Sequence, residues 1–293
     1  MRSSGRTMRH ILSIAWAAFR RFNADDGWAI ASHIALSTLM ALFPFILLLT
    51  AVAALFGSKD LADEAVRILL EAWPEQVAAP LAREIQSVLS SAHGGVLTLS
   101  ALLALFFASS GVESLRIGLN RAYGCTDTRR WWVLRAEAIL YVVVGALALL
   151  ALSFLVFLAP LIWAAAVRHL PWIEPFGPTV TVVRIAVAAL VLVLALAVVH
   201  LWLPAGRRRL REVAPGIVAT LLLWLGAGSL FGRYLAEFAF TYSTYYAGLA
   251  SPMIALVFLY LTGAIFIYGG ELNYVLHERR ARGDGRPNPA PAD

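Results

Sequence analysis

Residues 29–57 read AIASHIALSTLMALFPFILLLTAVAALFG, a run with no Asp, Glu, Lys or Arg. About 20 apolar residues at a rise of about 1.5 Å cross a hydrocarbon core of about 30 Å. In lipid, a helix satisfies its own backbone groups over such a run. Strands of an outer-membrane barrel would instead alternate over about 10 residues. A cleaved signal peptide has an apolar core of about 7–15 residues after a short basic start. Here the long segment 1–28 precedes a much longer core, so the run reads as a retained first membrane helix. Pro44 within it frees a carbonyl and bends the helix.

Five further charge-poor runs follow. Trimmed at their flanks, the expected spans are about 29–57, 94–118, 138–167, 185–205, 213–241 and 251–275. The fold class is all-α, a polytopic membrane protein whose six transmembrane helices occupy 29–276. Composition points the same way. The 293 residues are 60% hydrophobic and 14% charged, with a mean hydropathy of +0.74. A soluble domain is about 45–50% apolar and about 25% charged. That difference excludes a soluble enzyme, a disordered chain and a disulfide-stapled secreted domain. One cysteine, Cys125, permits no internal disulfide and no CxxC metal site.

Cytoplasmic loops collect Lys and Arg. The segments before the first span, between the second and third, between the fourth and fifth, and after the sixth hold 18 of the 24 positive residues. Both termini are therefore expected in the cytoplasm (N-in/C-in). The net charge of +6 is accounted for by this rule and by anionic headgroups, so nucleic acid is not expected as a partner.

The outer segment 58–93 carries Leu61, Val66, Leu69 and Leu70 against Asp63, Glu64, Arg67 and Glu71. It reads as two short amphipathic helices broken by Pro74 and Pro80. It is either a structured connector or a gate or partner surface. Near the N-terminus, Ile11, Leu12, Ile14, Trp16, Phe19 and Phe22 flanked by Arg9, Arg20 and Arg21 resemble an interfacial helix on the lipid bilayer. The Pro- and Gly-rich tail 277–293 reads as disordered and cytoplasmic.

An ionisable group inside a span costs about 2.5–3.5 kcal/mol on insertion scales and is a functional suspect. Ser109, Glu113, Arg116 and Asn120 share a face of the second span, with Glu113 and Arg116 able to pair at i, i+3. Arg233, Glu237 and Thr241 share a face of the fifth and are expected to turn toward the bundle. Glu271 and Asn273 follow Gly269 and Gly270 at the inner end of the sixth, where Glu271 either binds a proton or cation or pairs with Arg116 or Arg121. Each constellation reads as a polar pathway or as a structural ion pair. His33 and Ser37 lie on the first span, His33 reading as a hydrogen-bonded core residue or a ligand. Gly228 and Gly232 form a GxxxG pair that reads as helix packing. No HExxH, phosphate loop or GxSxG occurs, so no catalytic residue, metal site or cofactor is assigned.

Four stretches carry a resemblance: ALSTLMALFPFILLLT with its mid-helix Pro44, GLNRAYG at 118–124, YYAGLAS before the sixth span, and GGELN at 269–273. In this order over six spans, from about residue 11 to 276, the chain resembles the YihY/BrkB family. The resemblance implies a multi-pass protein of the bacterial inner (plasma) membrane. Members have been described as virulence factors linked to serum resistance, and the family has carried a ribonuclease BN label. The sequence offers no nuclease site to support that label. The leading function is permeation or transport of an ion, a small solute or a lipid. The alternative is a non-transporting envelope scaffold acting through 58–93, by self-association or an envelope partner. An intramembrane enzyme ranks third.

Overall fold

A computed structural model describes residues 2–55, 94–246 and 250–283. The expected outer pair of helices in 58–93 and the end of the tail, 284–293, lie outside the described residues. All the described secondary structure is helical. In chain order the α-helices are α1 (Arg2–Ala24), α2 (Gly27–Leu55), α3 (Gly94–Ala122), α4 (Trp131–Ser153), α5 (Ala159–His169), α6 (Gly177–Trp202), α7 (Leu210–Tyr246) and α8 (Ala250–Gly283). A π-helical turn, Phe154–Leu158, joins α4 to α5, and a 3-10 turn, Pro171–Phe176, joins α5 to α6.

Among the described residues, five helical stretches are long and apolar enough to cross a membrane: Ala101–Ala122, Trp131–Ala148, Pro171–Trp202, Leu210–Leu235 and Pro252–Ala281. Several ends differ from the expected spans. The third expected span, 138–167, starts earlier at Trp131 and is divided by the π-turn, which disrupts the regular i to i−4 ladder. The fourth, 185–205, begins at Gly177, because Pro178 sits at the helix start where its missing N–H is tolerated. α7 runs to Tyr246, past 241. α8 continues to Gly283, so 277–283 is helix rather than tail. Pro44 falls inside the helical run of α2; its ring lies outside the described side chains.

The helices pack around α8, which lies against α1, α2, α3 and α7. α2 packs on α3, and α6 packs on α4 and α7. Phe22, Ile34, Leu119, Leu203, Ile217 and Ile267 form the shared apolar core. α4 and α6 bury little of themselves and present Leu140, Leu147, Val182 and Leu190 outward. An apolar exterior is what a lipid solvent demands.

α1 divides its apolar arc between two neighbours. Ile14 and Ala18 are buried against Val275 of α8, and Phe22 joins the main core. Leu12, Trp16 and Phe19 stay exposed. Tyr268 donates its hydroxyl hydrogen to the Ala15 carbonyl at 3.1 Å, and the Arg279 guanidinium donates to Ser13 at 2.9 Å. These contacts fix α1 along the lower half of α8.

α3 ends where Gly124 adopts φ +64. Its N–H bonds the Arg121 carbonyl, and the Cys125 N–H bonds the Asn120 carbonyl. This is a Schellman closure, which needs a residue without a Cβ penalty in the left-handed region. It turns 125–130 back beneath the bundle, toward the polar ends of α3 and α6.

Candidate functional site

Residues 271 and 273 of α8 are two positions apart, so they point to opposite sides of the helix. On one side Glu271, with 0% of its side chain exposed, accepts from the Arg21 Nε at 3.1 Å. Arg21 also reaches Asp25 at 3.3 Å and lies 3.9 Å over the Tyr274 ring. The partner expected for Glu271 was Arg116 or Arg121; it is instead Arg21 of α1. Arg121 pairs with Asp26 at 2.9 Å, and Arg116 is held elsewhere.

On the other side Asn273 joins four helices. Its Oδ1 accepts from the Gly216 N–H of α7 at 2.6 Å, and its Nδ2 donates to the Tyr123 hydroxyl at 3.1 Å. The backbone donor fixes which way the amide points. The Tyr123 hydroxyl lies 3.0 Å from the His200 Nδ1 of α6. Because Asn273 donates to that hydroxyl, its own hydrogen is directed to Nδ1, and the neutral ring carries its proton on Nε2. Burial pushes the Tyr123 phenol up to about 12, so it remains a donor across the physiological range. His200 Nε2 and Thr220 Oγ1 are each buried without hydrogen-bond partners, as is Glu271 Oε1. Close packing makes the α7–α8 part of this seam possible. A Cβ on Gly216 would stand 2.1 Å from the Gly269 carbonyl oxygen, and one on Gly269 would stand 2.2 Å from Thr220 Oγ1.

Below the seam, Asp127 gathers the ends of α3 and the following loop. It accepts from Arg116 at 2.9 Å, from Asn120 at 3.3 Å, and from the backbone and guanidinium of Arg129. Arg129 continues to Glu137 at 2.6 Å and to the Leu203 carbonyl, while the Asn120 side-chain oxygen accepts from the Ala205 N–H at 2.7 Å. Glu113 therefore does not pair with Arg116 but with Arg135 of α4, at 2.9 Å. The i, i+3 pairing loses because the loop carboxylate meets Arg116 end-on.

The Arg129 hydrogen bonds, with Arg116 adding to them, hold the Asp127 carboxyl well below the usual carboxylate range against the opposing effect of burial. A folded pKa below the unfolded value of about 3.9 contributes stability above that pH and loses it as pH falls below. Asp127→Asn is expected to cost about 2 kcal/mol at neutral pH and to flatten the acid limb of thermal stability. Melting in detergent from neutral to acid pH tests this; parallel acid limbs for both proteins count against it.

A pocket of about 600 Å³ opens beside this network, lined by Asp127, Arg129, Trp202, Pro204, Arg207, Arg208 and their neighbours. Arg208 connects it to the seam. Its guanidinium lies 4.0 Å over the Tyr123 ring and donates to the Ala205 carbonyl at 2.8 Å.

The remaining candidates lie apart. His33 of α2 hydrogen-bonds Ser114 of α3. Arg233 and Glu237 are exposed on α7, not turned into the bundle. Gly228 and Gly232 have nothing within 4 Å, so they pack against no described neighbour. The residues missed in the sequence are Arg21, Tyr123, His200, Asp127 and Arg208. His200 carried a legible signal as a titratable group in the otherwise apolar C-terminal half of the fourth span.

The family described as virulence factor BrkB matches residues 18–293. The chain belongs to the BrkB family. Among its relatives, the ribonuclease-like protein YfkH of Bacillus subtilis is 26% identical over 269 residues, covering 92% of this chain and 97% of YfkH. A UPF0761 membrane protein of Rhodospirillum centenum is 26% identical over 274 residues, covering 90% of this chain and 57% of that protein. No solved structure matches. The seam and the ion pairs around it in this BrkB-family chain draw on two of the stretches that carried the resemblance. GLNRAYG supplies Asn120 and Tyr123, and GGELN supplies Gly269, Glu271 and Asn273.

Proposed function

We propose that this BrkB-family protein crosses the bacterial inner membrane six times, with both termini in the cytoplasm, and carries a small solute or ion along the seam between α3, α6, α7 and α8. The sixth crossing is α2, helical over 29 residues. The orientation follows from the arginine-rich flanks. One observation carries the permeation reading. Arg208 lines the pocket and lies over the Tyr123 ring, Tyr123 contacts His200, and His200 Nε2 and Thr220 Oγ1 are buried without partners. A buried polar group left unsatisfied costs about 1–3 kcal/mol, and a passing hydrated solute supplies the missing partners.

The test is flux in proteoliposomes of the purified full-length protein, with protons and chloride as probes read by trapped dyes. The wild type is expected to pass one of them, and His200→Phe and Tyr123→Phe to pass it about tenfold more slowly, a barrier rise of about 1.4 kcal/mol. A wild type that leaks neither probe, or variants as fast as the wild type, overturns the reading. A second reading, the non-transporting scaffold, is favoured by a different observation. Glu113 and Glu271 are each closed in an ion pair, and Arg233 and Glu237 do not converge with them.

A further inference from the structure

The two arginine-rich connections differ in how their charges are used. In the first, Asp127 and Glu137 take up Arg116 and Arg129, so that two carboxylates balance two guanidinium groups. In the second, neither Arg207 nor Arg208 has a carboxylate within 4 Å among the described residues. Arg208 is half-buried, and its contacts are a carbonyl, the Cys125 sulfur at 3.0 Å and the face of Tyr123. Its Nη1 is buried without any hydrogen-bond partner. A guanidinium partly withdrawn from water without an anion carries a cost, and these contacts leave its charge uncompensated. Both arginines line the same pocket, whose lining also includes Thr126 and Thr128. The acidic residue in the lining, Asp127, is already saturated by its own donors, so little negative charge is left to repel an anion.

We propose that this pocket binds a phosphate group, held by the guanidinium groups of Arg207 and Arg208 and by the threonine hydroxyls. Two guanidinium forks match the oxygens of a tetrahedral oxyanion. The volume of about 600 Å³ falls in the usual range for small-ligand sites, about 300–1,000 Å³, and exceeds what phosphate alone fills. The remaining lining includes Leu201 and Trp202, the latter 65% exposed. An apolar and aromatic rim beside a basic pocket at the end of membrane helices fits a phospholipid headgroup. A soluble phosphate ester offers the same oxyanion. The proposal names what the mouth of the proposed route takes, yet the binding requires no flux, so a protein that transports nothing still tests it.

Native mass spectrometry of the full-length protein in detergent, titrated with phosphatidylglycerol or phosphatidylcholine, reads the binding directly. Retention of phosphatidylglycerol over phosphatidylcholine is expected. Arg207→Gln, at an exposed side chain, should weaken it about fivefold, and Arg208→Gln about tenfold or more, as loss of a charge-assisted hydrogen bond implies. If Arg208→Gln does not fold, Arg207→Gln decides. Competition by inorganic phosphate supports the proposal with a soluble phosphate compound as the source; retention unaffected by inorganic phosphate supports it with the lipid as the source. Retention of neither lipid together with no binding of inorganic phosphate, or an unchanged affinity in folded Arg207→Gln, overturns it.

Discussion

Arg21→Met is expected to lose about 3 kcal/mol of stability, because it strands the Glu271 carboxylate inside the bundle. Breaking a buried pair by removing one partner costs about 3–5 kcal/mol, since the remaining charge has neither water nor a counter-ion. The lower end applies here, because the Arg21 side chain is 32% exposed and Glu271 is 0% exposed. The same inequality predicts an asymmetry. Glu271→Gln leaves Arg21 with Asp25, the Tyr274 ring and access to water, and the amide oxygen still accepts from Nε. It should therefore cost less. The double variant Arg21→Met with Glu271→Met buries no charge and should recover much of the loss. Thermal melting of the purified proteins completes this cycle. Equal losses in the two single variants, or a double variant as unstable as their sum, would show that the pair is not what holds α1 to α8.

Gly216→Ala should destabilise by about 3 kcal/mol, the upper part of the range for overpacking. The added methyl would meet the Gly269 carbonyl oxygen at 2.1 Å and the Asn273 amide at 2.4 Å. A backbone carbonyl cannot rotate away as a side chain does, so α7 and α8 must separate. Separation also lengthens the bond from the Gly216 N–H to Asn273. Gly228→Ala on the same helix has nothing within 4 Å and should be neutral or slightly stabilising, since alanine is the better helix former. Size-exclusion chromatography after heating separates the two cases, and a Gly216→Ala protein that matches Gly228→Ala refutes the contact.

The contrast between these glycines marks what the sequence could and could not disclose. Long uncharged runs were legible because lipid imposes a length on each crossing. The end of α3 was legible in kind, since Asn120 and Arg116 fell on one polar face. Partners across helices were not. A residue's own helix offers i, i+3 and i+4 neighbours, which paired Glu113 with Arg116, whereas Arg135 and Asp127 arrive from outside that helix. Arg21 looked like one more basic flank because nothing local indicates that it reaches position 271. GxxxG at 228 and 232 matched a known packing pattern, while Gly216 and Gly269 contact each other from separate helices and form no local pattern. Arg233 and Glu237 shared a face as expected, but spacing along one helix does not say which way that face turns.

The position of α8 bears on how the chain matures. Four of the described helices lean on α8, which follows all of them in the chain. Until it is synthesised, α1 has only the start of α2 to pack on, Arg21 has no Glu271, and Gly216 of α7 faces no Asn273. The α2–α3 pair and the contacts of α6 with α4 and α7 can form earlier, but the assembly that joins them to α1 waits for α8. A ribosome stalled before residue 250 would leave a polypeptide inserted but only partly assembled, open to membrane proteases that the finished bundle resists.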